Sequence, residues 1–311
     1  MIPLALRRAV LWLLPLVLLA VTASCTGGSS GDDTPASGGP TRPFMLGYSS
    51  LPRELNVDAY AEAIDFAANN GEMVLIQRSV PWEEFVPGGN VGDDTATQSA
   101  AEIKAVRDGD LTLFFAIDPT DGATGRDRLG SLPVSLAGKR FDDPDVRAAF
   151  VSYAEYVALN YKPEYLALGV EMNLYYEKNK DDFENFKTLY AQAYDAVKRQ
   201  SPDTQVTVTL QYEDLQGLLP HEDRHTQSWE LVYAFDPKID FTAISTYPSF
   251  AFATADAIPA NYYAQLRGFT DRPIVIAEMG YSSRPGSQGV NSGTEAEQSL
   301  FVRRSTRCAA W

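Results

Sequence analysis

Two glutamates stand where a carboxylate can do chemistry. Glu171 closes the apolar stretch Tyr165-Leu-Ala-Leu-Gly-Val-Glu171-Met-Asn173, and Glu278 closes Pro273-Ile-Val-Ile-Ala-Glu278-Met-Gly-Tyr-Ser282. Runs of small and branched apolar residues read as strands buried on both faces, as in parallel sheets. Each carboxylate then falls at a strand's C-terminal end, the rim where parallel α/β architectures carry ligands and chemistry. Two strands that each bring a carboxylate to one rim suggest paired acid/base work on a sugar bond. Taken singly, either glutamate also reads as a solvated or salt-bridged loop residue.

The elements that must position this pair follow a regular rhythm. From Pro43 onward, apolar strands alternate with amphipathic helices. The strands are read at 44–49, 73–78, 111–118, 164–171, 205–211, 239–245 and 273–278, and helices follow at 57–69, 97–107, 145–160, 181–200, 228–234, 261–267 and 294–304. Seven such units over about 260 residues fit an α/β fold, a TIM (β/α)8-type barrel. A doubly wound open sheet is the competitor, but no Gly-rich phosphate fingerprint follows the first strand. An eighth strand is expected after the last helix, and the chain instead ends Ser305-Thr-Arg-Cys308-Ala-Ala-Trp311. The barrel is therefore expected to lack strand eight through a truncated or altered C-terminus, leaving unpaired edges on the first and seventh strands.

The 311 residues carry a net charge of −15, and no basic stripe is present that could neutralise phosphates, which argues against nucleic acid as a partner. The first 25 residues read as a targeting segment. Arg7 and Arg8 precede the apolar run Ala9 to Ala20, and Thr22-Ala-Ser24 sets small residues before Cys25. This resembles a bacterial lipoprotein signal with Cys25 as the lipidated residue, although Thr22 stands where leucine is usual. Ordinary secretory cleavage is the alternative, and both readings place the protein outside the cytoplasm, on the membrane through a lipid anchor or secreted. Residues 26–42 are rich in Gly, Ser and Pro and read as a flexible tether, with the barrel domain at 43–311.

The strand ends carry a further resemblance. Leu168-Gly-Val-Glu171, Ser245-Thr-Tyr247-Pro and Ile276-Ala-Glu278-Met-Gly look like the corresponding strand ends of retaining glycoside hydrolases built on TIM barrels. Within that clan the sequence looks most like the endo-β-1,4-galactanase family. The resemblance implies that Glu278 is the nucleophile, Glu171 the acid/base, and Tyr247 a hydrogen-bond donor that holds Glu278. Arg78, at the end of the second strand, is a candidate to keep Glu278 ionised. One departure stands out: the clan places Asn directly before the acid/base, and this chain has Val170. Asn173 is the residue that could substitute for it.

Other rim positions suit carbohydrate. Tyr48, Trp82, Tyr175, Tyr212 and Tyr281 fall just past strand ends, where flat rings match pyranose faces. Asp118 and Gln211 end the third and fifth strands and are candidates for sugar hydroxyls. His221-Glu-Asp-Arg-His225 satisfies the zinc-protease pattern, but Pro220 precedes it, and a loop does not present two imidazoles on one face. No metal and no cofactor are expected. The expected protein is an extracytoplasmic retaining β-glycosidase acting on a polysaccharide or oligosaccharide. Its alternative is a carbohydrate-binding lipoprotein on the same fold without turnover.

Overall fold

The computed structural model describes residues 16–18, 44–54, 56–219, 226–285 and 293–307. Cys25, the tether at 26–42 and the pair His221 and His225 lie outside the described residues. The strands are β1 (Leu16–Leu18), β2 (Leu46–Ser49), β3 (Met73–Ser79), β4 (Thr112–Asp118), β5 (Tyr165–Ala167), β6 (Gln205–Thr207), β7 (Thr209–Gln211), β8 (Thr242–Thr246) and β9 (Ile274–Met279). The helices are α1 (Val57–Asn70), α2 (Trp82–Phe85), α3 (Asp93–Asp108), α4 (Pro144–Asn160), α5 (Met172–Lys178), α6 (Lys180–Gln200), α7 (Tyr212–Leu215) and α8 (Glu295–Arg307).

The sheet runs β6-β5-β4-β3-β2-β1-β9-β8-β7. β6 pairs with β5 and β7 with β8, and only Val208 separates them, so one strand closes the ring. Every pairing among β2 to β9 is parallel. This is a TIM-type barrel. The expected open edges are bridged by β1, which lies in the stretch read as a targeting segment and pairs antiparallel with both β2 and β9; cleavage before Cys25 would remove it and leave those edges open. A parallel eighth strand needs a crossover helix, whereas a short antiparallel segment enters without one. The segments expected as helices at 228–234 and 261–267 form only the 3₁₀ turns Trp229–Tyr233 and Ala264–Gly268.

Strand alternation splits the core in two. Met73, Leu75, Phe114, Ala116, Ala167, Val170, Phe241, Ala243, Val275 and Ala277 fill the barrel interior. Val74, Ile76, Leu113, Phe115, Ile117, Leu166, Val206 and Ile276 face the helices. Opposite faces of one strand serve the two clusters, as the period of two requires. The helices supply matching stripes. In α4 the buried positions Val146, Ala149, Phe150, Tyr153, Ala154 and Val157 recur at three and four residues, after Asp143 caps the N-terminus through the amides of Asp145 and Val146. In α6, Phe183, Phe186, Tyr190, Ala193 and Val197 form the corresponding stripe against it.

Candidate active site

A β-bulge aims Glu278 into the barrel mouth. The pairing runs Ala243 to Val275 and Ile244 to Ile276, then shifts so that Ser245 pairs with Glu278. Ile276 faces the helices, so strict alternation would send residue 278 outward as well. The extra residue in β9 turns Glu278 onto the inner face beside Ser245. Bulges do this next to active sites.

Glu171 reaches the same place by a different device. Beyond β5 the chain continues through Leu168, Gly169 and Val170, and Glu171 adopts the left-handed conformation with φ 49° and ψ 47°. Gly169 is needed because a Cβ there would sit 2.7 Å from Met172 Cγ and 2.9 Å from Phe186 Cζ. The Glu171 amide donates to Thr209 Oγ1 at 2.9 Å, which locks the turn onto β7. A non-glycine residue held at positive φ stores about 1 kcal/mol or more, a strain that clusters at functional sites.

Three hydrogen bonds hold the two carboxyls in place. Ser245 Oγ donates to Glu171 Oε1 at 2.6 Å, while its own backbone is the register partner of Glu278. Arg126 Nε donates to Glu171 Oε2 at 2.9 Å. Tyr247 OH donates to Glu278 Oε2 at 2.5 Å. Arg126 is buried and is in turn clamped by Asp118, whose two carboxylate oxygens each lie 2.8 Å from Nη1, and by Thr120 Oγ1 at 2.9 Å. Gln77 Nε2 completes the set with a bond to Asp118 Oδ2 at 3.1 Å.

The electrostatics follow from these contacts. Burial first, and then the charge of Glu171, push Glu278 up to about 7, against the Tyr247 hydrogen bond and the Arg126 charge, which both pull it down. Tyr247 is raised well above the usual phenol range, chiefly by burial and then by the two glutamates, so it stays a donor. Burial works against the Arg126 charge, but Asp118 and then Glu171 outweigh it and hold the guanidinium above its usual range.

The site differs from expectation at several residues. Arg78 does not reach Glu278. It alternates with the inward Gln77, points to the helix side, and pairs there with Glu102 and Tyr60. Arg126 supplies the cation of the site instead. Asn173 is fully buried, with Nδ2 donating to Gln211 O and Asp214 Oδ2 and Oδ1 accepting from the Gln211 amide. Its amide is therefore spent on fixing α5 to β7. Val170 sits in the interior cluster, so neither residue offers an amide to a sugar. Gln211 caps α7 through the Asp214 amide and donates to Glu213, which removes it from the set of sugar contacts.

The expected aromatic platform is likewise structural. Trp82 is buried and donates to Gly130 O, Tyr212 donates to Tyr262 O, and Tyr175 donates to Asp182. Tyr48 meets Phe66 of α1 edge-on at 5.0 Å, and Tyr281 stacks on Phe301 of α8 at 5.0 Å. Both line an outer cavity of about 640 Å³ between α1 and α8, not the mouth. A buried ring whose polar tip is already bonded cannot also face a ligand. Glu171, Glu278, Tyr247 and Asp118 are the predicted residues that the structure brings together.

Sequence reasoning missed Arg126 as a site residue, and it took Ser245 only as part of a motif. Ser245 was within reach, two residues after the inward Ala243 on a strand of period two. Arg126 lies in the irregular loop after β4, between Gly125 and Asp127, and nothing local separates it from Arg128. Among the described residues, no group of three or more His, Cys, Asp or Glu side chains is placed to hold a metal ion.

The sequence matches no protein-family model and no curated protein. Solved structures are similar in fold. A β-glucosidase in its apo form is 15% identical with a TM-score of 0.56, over 80% of this chain and 72% of that one. An exo-β-1,4-mannosidase from Opitutaceae bacterium strain TAV5 is 14% identical with a TM-score of 0.59, and the match spans 89% of this chain but only 53% of the mannosidase. Two fungal β-1,4-galactanases are represented by a structure that is 14% identical with a TM-score of 0.54, over 80% and 76% of the two chains. At these identities the likeness carries the fold, and the fold is the TIM barrel of these glycoside hydrolases.

Proposed function

We propose that this chain hydrolyses a β-linked polysaccharide or oligosaccharide by double displacement at Glu171 and Glu278. The observation that carries the reading is the Ser245 bridge: its hydroxyl bonds Glu171 while its backbone pairs with Glu278. Two carboxyls with a shared neighbour at one rim, each held by its own hydrogen-bond donors, suit the two roles that the reaction needs. One attacks the anomeric carbon as a carboxylate, and the other gives its proton to the leaving oxygen. The fold neighbours named as a β-glucosidase, a β-1,4-mannosidase and β-1,4-galactanases support a β-linked substrate.

A carbohydrate-binding role without turnover is the second reading. Val170 and the fully engaged Asn173 favour it, because neither offers a side-chain amide to a sugar 2-hydroxyl in the transition state. Hydrolysis assays on β-glucan, β-mannan and β-galactan separate the two. Reducing sugar released by the full chain and lost in Glu171→Ala establishes the hydrolase; binding of the same glycans without release establishes the binder. Attachment to the extracytoplasmic face of a membrane through Cys25 belongs to the same proposal. Radiolabelled palmitate incorporated by the wild type and not by Cys25→Ser is the expected result.

A further inference from the structure

The loop after β4 turns back on itself as a small hairpin. Thr120 forms an antiparallel bridge with Leu129, the Asp121 amide donates to Arg128 O at 2.9 Å, and the Arg126 amide donates to Asp121 O at 2.9 Å. At its turn Gly125 and Arg126 both take left-handed φ values, 70° and 64°. That conformation is disfavoured for arginine and persists only where the surroundings fix it. Here the fixing contacts flank Arg126: Lys178 Nζ donates to Gly125 O at 2.5 Å, and Asn179 Nδ2 to Asp127 O at 2.8 Å.

Those two donors stand at the C-terminal end of α5, and Glu171 stands at its N-terminal end. The hairpin therefore holds α5 at both ends, since Arg126 Nε donates to Glu171 Oε2 at 2.9 Å. Asp118 sets the aim of the guanidinium. It is buried, with both oxygens 2.8 Å from Arg126 Nη1, and it also accepts from Gln77 Nε2 at 3.1 Å and from the Thr120 amide and hydroxyl at 3.2 and 3.0 Å. A carboxylate so engaged acts through Arg126 and not on a sugar hydroxyl.

We infer, on the glycosidase reading and the roles that the resemblance implies, that this hairpin positions the acid/base: Arg126, aimed by Asp118, orients the Glu171 carboxyl toward the leaving oxygen. In the first step a Glu278 oxygen bonds to the anomeric carbon and the bond to the leaving oxygen breaks. That oxygen takes the electron pair and the proton of Glu171. In the second step water gives a proton to Glu171 as its oxygen bonds to the anomeric carbon, and the bond to Glu278 breaks. Glu171 enters the first step only through its proton, so its orientation matters as much as the leaving group needs one. The alkoxide of a sugar needs the proton, whereas 2,4-dinitrophenolate departs without it. A residue that only held the barrel together would affect both substrates alike.

Two variants of the intact chain test this. Arg126→Lys keeps a cation beside the buried Asp118 but lacks the planar fork that reaches Asp118 and Glu171 at once. Asp118→Asn leaves Arg126 in place and loosens its aim. Each is assayed on β-glucan, β-mannan and β-galactan and on the 2,4-dinitrophenyl β-glycosides of the same sugars, with Glu171→Ala beside them. On the glycan that the wild type cleaves, kcat/KM is expected to fall up to about 10²-fold, the scale of a misplaced catalytic group, and on the dinitrophenyl glycoside less than about three-fold. Azide attacks without a base, so it is expected to raise kcat of the variants, as of Glu171→Ala, on the dinitrophenyl glycoside. Equal losses on the two substrates, or no loss on either, overturn the positioning role and leave the glycosidase reading standing. A wild type that cleaves neither substrate overturns both.

Discussion

Glu213 and Glu278 flank β8 on its two sides, and both are carboxylates at strand ends. Glu213 is fully buried and takes four donors: Gln211 Nε2 at 2.7 Å, Thr246 Oγ1 at 2.6 Å, Tyr262 OH at 2.9 Å and the Tyr247 amide at 2.9 Å. Among the described residues Glu278 takes one, from the Tyr247 hydroxyl. Tyr247 serves both, with its backbone to one glutamate and its side chain to the other. Burial raises the proton affinity of each, yet at Glu213 the bonds from Thr246, the Tyr247 amide and Tyr262 oppose the rise, while at Glu278 the Glu171 charge adds to it. A saturated carboxylate holds a fold together, and an unsaturated one is free to exchange a proton.

The largest expected effect tests the functional half of this contrast. Glu278→Gln keeps shape and a hydrogen-bond acceptor but can neither attack as a carboxylate nor exchange a proton. Its kcat/KM is expected to fall about 10³-fold or more, in the range of lost acid/base catalysis, while its urea midpoint stays near that of the wild type. Retained turnover would remove Glu278 from the chemistry.

Glu213→Leu tests the structural half. It removes one acceptor from four buried donors, and each unsatisfied buried group costs about 1–3 kcal/mol. Allowing for local rearrangement, a loss of about 4 kcal/mol in urea denaturation is expected. A variant as stable as the wild type would show that the four bonds contribute nothing net, and the contrast would collapse.

Tyr247→Phe separates the two roles of the shared residue. Its amide still donates to Glu213, so stability is expected to change by less than about 1 kcal/mol, the worth of one hydrogen bond. Glu278 loses its single donor, and kcat/KM is expected to drop about thirty-fold, with the Glu278 limb of the pH profile moving to higher pH. A stability loss as large as that of Glu213→Leu would mean that Tyr247 is a core residue only.

The same contrast explains what could be read from the sequence. Seven strands were legible because buried strands announce themselves as apolar runs, and Glu171 and Glu278 were legible because each ends one. Which way a side chain faces was harder. Arg78 was assigned to the mouth, although counting by two from the inward Met73 and Leu75 puts Gln77 inside and Arg78 outside. Glu278 defeats the same count, because the bulge in β9 shifts the register by one and leaves no trace in composition. Tyr175, Tyr212, Trp82 and Gln211 were assigned to sugar because they follow strand ends, yet each tip bonds within the protein. Arg126 owes its place to loop geometry, a left-handed turn with φ 64°, and to a partner 45 residues away. The bridging of β2 and β9 by β1 joins segments too distant in sequence for any local pattern to register.

The smallest expected effect is in the pH dependence of stability. Folded Glu278 holds its proton up to about pH 7, whereas its ordinary value of 4.5 applies to the unfolded chain. Between those two values the folded state binds more protons, so the contribution of this group to stability is full below 4.5 and is lost as pH rises through 7. Glu278→Gln has no proton to lose. The variant should therefore match the wild type near pH 4.5 and become the more stable of the two above pH 7. The gap is set at about 1–2 kcal/mol, below the full shift of about 1.4 kcal/mol per pH unit, because the group is partly exposed and solvent screens it. For a domain of this size that is a few degrees in Tm. Glu213→Gln differs in that it disturbs a site of four buried donors, so it should be less stable than the wild type at every pH; because burial raises the proton affinity of Glu213 too, that deficit narrows toward alkaline pH. A Glu278→Gln variant that runs parallel to the wild type from pH 4.5 to 8 would mean that Glu278 titrates at the same pH in the folded and unfolded chain, so that its site does not raise its affinity for a proton.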